Sequence, residues 1–332
     1  MQKLCCLLLF TLYVCNYSQG QFYESEFSYV NPPDLTRKID KTKPVYSIPA
    51  NINVSNSAAS YTVPIDIPEG INGLQPNISV GYNSQGGVGE LGWAWHLKAG
   101  SKISMRRGNR ALNETPSDFD LSQSDFDYLN NDYSLDGQAL VYAVTADGDA
   151  PSTSVSYSTA VESFQTIRLI YSGNARRFDS YFEVVEKNGT KRIYGLNDNS
   201  KQRLGHADKP LITTDWYLQK VIDRRGNFIQ YEYKDNPNGG EKLLSKITYT
   251  NEADVSPANG HFTVEFKYAR KNEAVEHVFL KDGYYYKNTA ILIEIKSFSG
   301  TTEYSKYTFD YSYDNGATSG KTFSKLVQIN YS

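Results

Sequence analysis

Apolar and polar positions alternate with a period of two along much of this chain, in short runs separated by turn residues. Residues 61–67, 78–82 and 102–107 are three such runs in close succession, and 51–55 is a fourth beside Pro49, which suits a sheet edge. Further on, residues 182–185 and 191–194 flank Asn188-Gly189, the strongest short-range hairpin signal there is. The form returns around Asp223-Arg-Arg-Gly226-Asn227, where the second run ends Tyr231-x-Tyr233. Asp136-Gly137 opens another alternating run, Phe262, Val264, Phe266 and Tyr268 alternate with polar residues, and Ile291, Ile293 and Ile295 precede Ser299-Gly300. Period two predicts half-buried antiparallel strands, so the expected fold is all-β: an irregular ribbon of antiparallel hairpins with few or no helices. Leu-x-x-Val/Ile units at Leu218, Leu244, Leu292 and Leu326 are unevenly spaced, which excludes a solenoid or a propeller of equal blades.

The densest punctuation lies between residues 59 and 107. Pro68, Gly70, Asn72-Gly73-Leu74-Gln75 and Pro76 form a connector in which prolines remove backbone donors and glycines permit positive φ. A Gly-rich stretch follows Tyr82-Asn83-Ser84, with Gly86, Gly87, Gly89 and Gly92, but it fits neither a dinucleotide fingerprint nor a P-loop. Trp93 and Trp95 are two residues apart and so share one side of an extended chain, with the glycines clearing space beside them. The expectation is that both indoles pack on the connector, and that either Trp→Ala costs about 3 to 5 kcal/mol. Solvent-exposed in a groove, they would instead serve as sugar platforms.

Pro64, Pro68, Gly70, Asn72 to Pro76, Tyr82 to Ser84, and Leu91-Gly92-Trp93-Ala94-Trp95 together resemble the opening motif of the family named after the Salmonella virulence plasmid protein B N-terminal domain. That domain also begins the B components of insecticidal Tc toxins and many RHS/YD-repeat proteins. The unit Asp223, Gly226, Asn227, Tyr231, Tyr233 resembles one YD repeat. The resemblance covers about residues 50–332 and implies part of a curved RHS/YD-type shell wall. It also implies further RHS/YD-repeat polypeptide, an enclosed toxin or effector, and a Tc-type translocation component as partners.

Composition sets the surroundings. Residues 1–20 carry one cation, Lys3, an apolar run over 4–14, and Ser18-Gln19-Gly20, which together read as a secretory signal peptide cut before Gln21. The expected organisation is therefore signal peptide 1–20, extended leader 21–50, opening motif 51–110, and a hairpin ribbon 111–332 that stops after a strand as a truncated frame or one part of a split system. Cys5, Cys6 and Cys15 all lie before the cut, so the mature chain would hold no thiol. Removal of residues 1–20 takes the net charge from −3 to −4, with no basic stripe for nucleic acid and no run long enough for a transmembrane span.

Candidate chemistry is thin. The Asp-rich run over 118–149 departs from Ca²⁺-loop spacing, and His96, His206, His261 and His277 lie on four separate segments without ligand spacing. No metal, cofactor or catalytic residue is expected. The functional expectation is a secreted, non-catalytic shell or scaffold part that encloses or delivers a toxin. The alternative is a secreted β-rich adhesin or glycan-binding module, and behind it a glycosidase, whose paired carboxylates leave no spacing signature.

Overall fold

The computed structural model describes residues 51–55, 58–106, 132–143, 154–170, 180–204, 212–251, 262–271, 277–281, 284–313 and 323–332. The signal peptide, the leader, most of the Asp-rich run, His206 and His261 lie outside these residues. Within them the chain is all strand and turn apart from two single 3-10 turns, Ile71–Gly73 and Asp198–Ser200. The all-β expectation holds.

The opening strands are β1 (Asn51–Ser55), β2 (Ala58–Pro64), β3 (Ser79–Asn83), β4 (Val88–Gly89), β5 (Gly92–Trp93) and β6 (Trp95–Lys98). Four of them form a small antiparallel sheet in the order β1-β2-β3-β6, with β1 at the edge as its flanking proline suggested. β4 and β5 pair only with each other.

Next come β7 (Lys102–Arg106), β8 (Asp132–Leu135), β9 (Gln138–Tyr142), β10 (Ser154–Thr159), β11 (Thr166–Ile170), β12 (Tyr181–Val185), β13 (Lys191–Tyr194), β14 (Lys201–Leu204) and β15 (Ile212–Ile222). Strands β7 to β13 pair in sequence, and β15 pairs with both β7 and β13, so eight strands close into a barrel. Over this stretch the expected ribbon of antiparallel hairpins is closed on itself. Closure is decided by registers such as Ser104↔Asp215, which no local pattern specifies. β15 can meet so many partners because it is 11 residues long: β7 and β14 flank its first half, β16 and β13 its second.

The barrel is filled with rings. Tyr133, Phe182 and Trp216 are almost fully buried, with Tyr133 and Trp216 each 5.2 Å from Phe182 and close to edge-on, the arrangement favoured by ring quadrupoles. Trp216 donates its indole N–H to the Ser180 carbonyl at 3.1 Å.

The chain continues as β16 (Phe228–Asp235), β17 (Lys242–Asn251), β18 (Phe262–Arg270), a separate hairpin of β19 (His277–Lys281) and β20 (Tyr284–Asn288), then β21 (Ala290–Ser299), β22 (Thr302–Tyr313) and β23 (Ser324–Tyr331). Extending from β15, the sheet runs β16-β17-β18-β21-β22-β23. One face carries Ile247, Val264, Ile295 and Phe309 into the core. The other is a charge checkerboard in which Glu232, Lys246, Glu265 and Lys296 stand opposite one another across four strands. Such pairs add little stability, but they mark a face that stays in water.

Candidate functional site

The opening motif is seated on the apolar face of the extended sheet. Ile65, Ile78, Val80 and Leu91 are at most 5% exposed and belong to the same core as the sheet residues. Polar contacts fix the seat. The Asp66 N–H donates to the Tyr307 hydroxyl at 3.0 Å, the Asp66 carbonyl accepts from Ser305 Oγ at 2.6 Å, and Tyr249 donates its hydroxyl to the Pro68 carbonyl at 2.6 Å. Burial pushes the Tyr249 phenol well up, helped by Tyr304 and Asp66, so it remains a neutral donor.

The connector is held from both ends. Pro68 and Pro76 are buried, the Gly70 N–H donates to Gln75 Oε1 at 3.1 Å, and Arg225 reaches Asn72 Oδ1 at 2.9 Å. Asn72 and Gly73 take positive φ in the 3-10 turn, Leu74 packs partly on the core, and Pro64 ends β2 with its ring exposed. Tyr82 is half-buried on β3, while Asn83 and Ser84 turn the chain, Asn83 Oδ1 accepting from the Gln85 N–H and Ser84 Oγ from the Ala59 N–H.

The tryptophans depart from expectation. Ala94 sits between them at φ 65°, so the chain is not extended there and the two indoles do not share a side. Trp95 is half-buried between Tyr61 and Tyr82, on β2 and β3. Trp93 is 46% exposed and leans edge-on against Phe323, 5.2 Å away. Tyr249, Gln75 and Arg225, rather than the indoles, make the hydrogen bonds that hold the connector. The glycines also serve other neighbours: a Cβ on Gly89 would lie 2.4 Å from His96 Nδ1, and one on Gly92 would lie 2.3 Å from the Ser324 carbonyl oxygen. Trp93→Ala is accordingly expected to cost only about 0.5 to 1.5 kcal/mol, the worth of one ring pair, and Trp95→Ala about 2 to 3 kcal/mol. Urea unfolding of the two variants checks this, and equal large losses would restore the connector-packing reading.

The Asp223 unit forms the turn between β15 and β16. Asp223 Oδ1 accepts from the N–H groups of Arg225 and Asn227, Oδ2 accepts from the Asn227 side chain, and Gly226 takes φ 89°. Tyr231 and Tyr233 follow on one face of β16, both buried, with the Tyr233 hydroxyl donating to the Leu218 carbonyl. Slight burial works against Asp223 ionising, but the Asn227 side chain, the two backbone donors and the Arg225 charge hold its carboxyl below the usual range. A depressed folded value contributes stability above the unfolded value of about 3.9 and loses it as pH falls through the lower folded one. Asp223→Ala is therefore expected to destabilise by about 1 kcal/mol at neutral pH. That gap should shrink on titration below pH about 4, read by unfolding at several pH values.

Residues remote in sequence were not foreseen. Tyr249, Ser305, Tyr307 and Ser324 bear on the motif from strands far along the chain, and Glu241 joins the β16–β17 turn to β21 by accepting from the N–H groups of Thr289 and Ala290. No spacing signal marks such partners. Among the described residues no group of three or more His, Cys, Asp or Glu could hold a metal ion, and no helix is long and apolar enough to cross a membrane.

A search of the curated proteins gives no match. Among solved structures, the N-terminal domain of the effector protein SpvB from Salmonella typhimurium strain LT2 aligns with TM-score 0.61 at 18% identity, over 81% of this chain and 98% of that one. The TcdB2-TccC3 crystal structure aligns with TM-score 0.65 at 16% identity, over 86% of this chain and 16% of that chain. The Photorhabdus luminescens Tc holotoxin pore aligns with TM-score 0.66 at 16% identity, over 86% of this chain and 15% of that chain. This chain thus spans less than a fifth of the Tc chains it resembles, and the likeness is one of fold. Residues 53–322 match the family described as Salmonella virulence plasmid 65kDa B protein, and with most of its length inside that match the chain belongs to this family.

Proposed function

We propose that the chain is the opening, non-catalytic part of an RHS/Tc-toxin-like shell wall. In this reading the motif seats the first strands on the sheet, and β23 hands the ladder on to a further RHS/YD-repeat polypeptide. The completed shell encloses a toxin or effector and works with a Tc-type translocation component. The supporting observation is the edge of the sheet: β23 is its last strand, paired on one side with β22, and Lys325, Val327 and Gln328 are exposed along it. A strand at the edge of a sheet is a template for another strand. Export by the residue 1–20 signal belongs to the same proposal, with a mature chain that starts near Gln21 and carries no labelable thiol.

Co-expression with an RHS/YD-repeat polypeptide tests the reading. A soluble complex, self-association of the chain expressed alone, and no hydrolytic turnover are expected. A monodisperse monomer that ignores the polypeptide and cleaves a polysaccharide would overturn it. Trp93, nearly half exposed, favours the second reading, a surface glycan-binding module. Loss of glycan binding in Trp93→Ala with folding intact would support that one instead.

A further inference from the structure

A cleft of about 280 Å³ opens where the junction of β6 and β7, the β8–β9 turn and strands β15 to β18 come together. Most of the polar groups around it are already engaged. Asp136 accepts from Ser101 Oγ at 2.6 Å and from the Lys102 N–H at 2.9 Å. Lys102 Nζ stands 3.3 Å from the buried carboxylate of Asp215, and Lys242 pairs with Asp235 at 2.5 Å. Tyr233 is occupied with the Leu218 carbonyl and supports the ring of Tyr217, 5.1 Å away.

Two groups remain. Glu90 and Tyr268 both line the cleft, and neither the carboxylate of the first nor the hydroxyl of the second has a hydrogen-bond or ion-pair partner among the described residues. Burial pushes the Tyr268 phenol up, and the charges of Glu90 and then Tyr311 push it the same way, so beside Glu90 it stays a neutral donor. A fixed acceptor and a fixed neutral donor, with an aromatic wall next to them, need a guest that brings both kinds of hydrogen-bonding group and no net charge. The charged residues that line the cleft are two of each sign, Glu90 and Asp136 against Lys102 and Lys242, so it offers no net charge to an ion of either sign.

We propose that this cleft binds a small neutral saccharide, with Glu90 accepting from sugar hydroxyls, Tyr268 donating to a sugar oxygen, and Tyr217 supplying the aromatic surface. The assignment does not rest on the shell reading, and the failure of either leaves the other standing.

Saturation-transfer NMR on the full chain tests it, with glucose, galactose, mannose, N-acetylglucosamine and cellobiose as neutral probes, glucuronate as the anion, and arginine methyl ester as the cation. At least one neutral sugar should receive transfer, and its binding should weaken at least tenfold in both Glu90→Gln and Tyr268→Phe. Neither substitution changes side-chain volume appreciably, and unchanged thermal unfolding confirms that each variant is folded. If one variant does not fold, the other carries the test. Transfer to no neutral sugar, transfer unaffected in the folded variants, or preference for the glucuronate or the arginine ester would each overturn the proposal.

Discussion

Replacing Phe182 with alanine is expected to cost about 3 to 5 kcal/mol, at the upper end for a buried aromatic residue. Phe182 is 0% exposed and touches Tyr133, Tyr157 and Trp216 inside the barrel, with ring centroids 5.2, 6.4 and 5.2 Å away. The rings come from β8, β10, β12 and β15, so removing the central one leaves a void lined by four strands that cannot all move inward. A closed barrel has little freedom to collapse, because each strand is held on both sides by its ladder. Against a typical domain stability of about 5 to 15 kcal/mol, this is a large share. Urea unfolding reads it directly, and Phe182→Leu should recover much of the loss by refilling the volume. A cost for the alanine variant under about 1 kcal/mol would mean that the eight strands do not enclose a packed interior.

The second large effect is expected at Gly92. Two independent constraints meet there: φ is +88°, which L side chains adopt at a cost, and the missing Cβ leaves room for the Ser324 carbonyl oxygen, which would lie 2.3 Å away. The obstacle is backbone rather than a flexible side chain, so it cannot swing aside. Gly92→Ala is expected to destabilise by about 2 to 5 kcal/mol, combining strained backbone with overpacking. It should also release β5 from the start of β23, which would show as faster amide exchange at Ser324 and its neighbours. Gly87→Ala is the control, since a Cβ there meets nothing within 4 Å and no strained φ is involved. Equal stability of the two variants would show that β5 is not pressed against β23.

What could be read from the sequence was what neighbours along the chain decide. Asn188-Gly189 gave its hairpin and Asp223 to Asn227 gave its turn because their side chains and φ angles fix the geometry within five residues. The alternation at Phe262 to Tyr268 gave a strand with one wet face for the same local reason. Ala94 was illegible: alanine rarely takes φ 65°, and nothing in Trp-Ala-Trp announces it, yet this one dihedral sends the two indoles to different neighbours. Barrel closure was illegible for a different reason, because β15 chooses β7 and β13 by shape and register across long intervening segments. The anchors of the motif, Tyr249 and Tyr307, look like any other strand tyrosine until the partner backbone is placed over them.

The seat of the opening motif also sets a clock. Asp66 and Tyr307 are 241 positions apart, so the motif leaves the ribosome long before the strands that cover it exist. At typical rates of about 5 to 20 residues per second, that interval lasts roughly 10 to 50 s. During that time Ile65, Ile78, Val80 and Leu91 have no permanent cover, although the barrel that follows can close once β15 has emerged. This early-made segment is therefore among the last to be completed. Its yield in cells should depend on translation speed and on whatever shields nascent chains, more than on the stability of the finished protein.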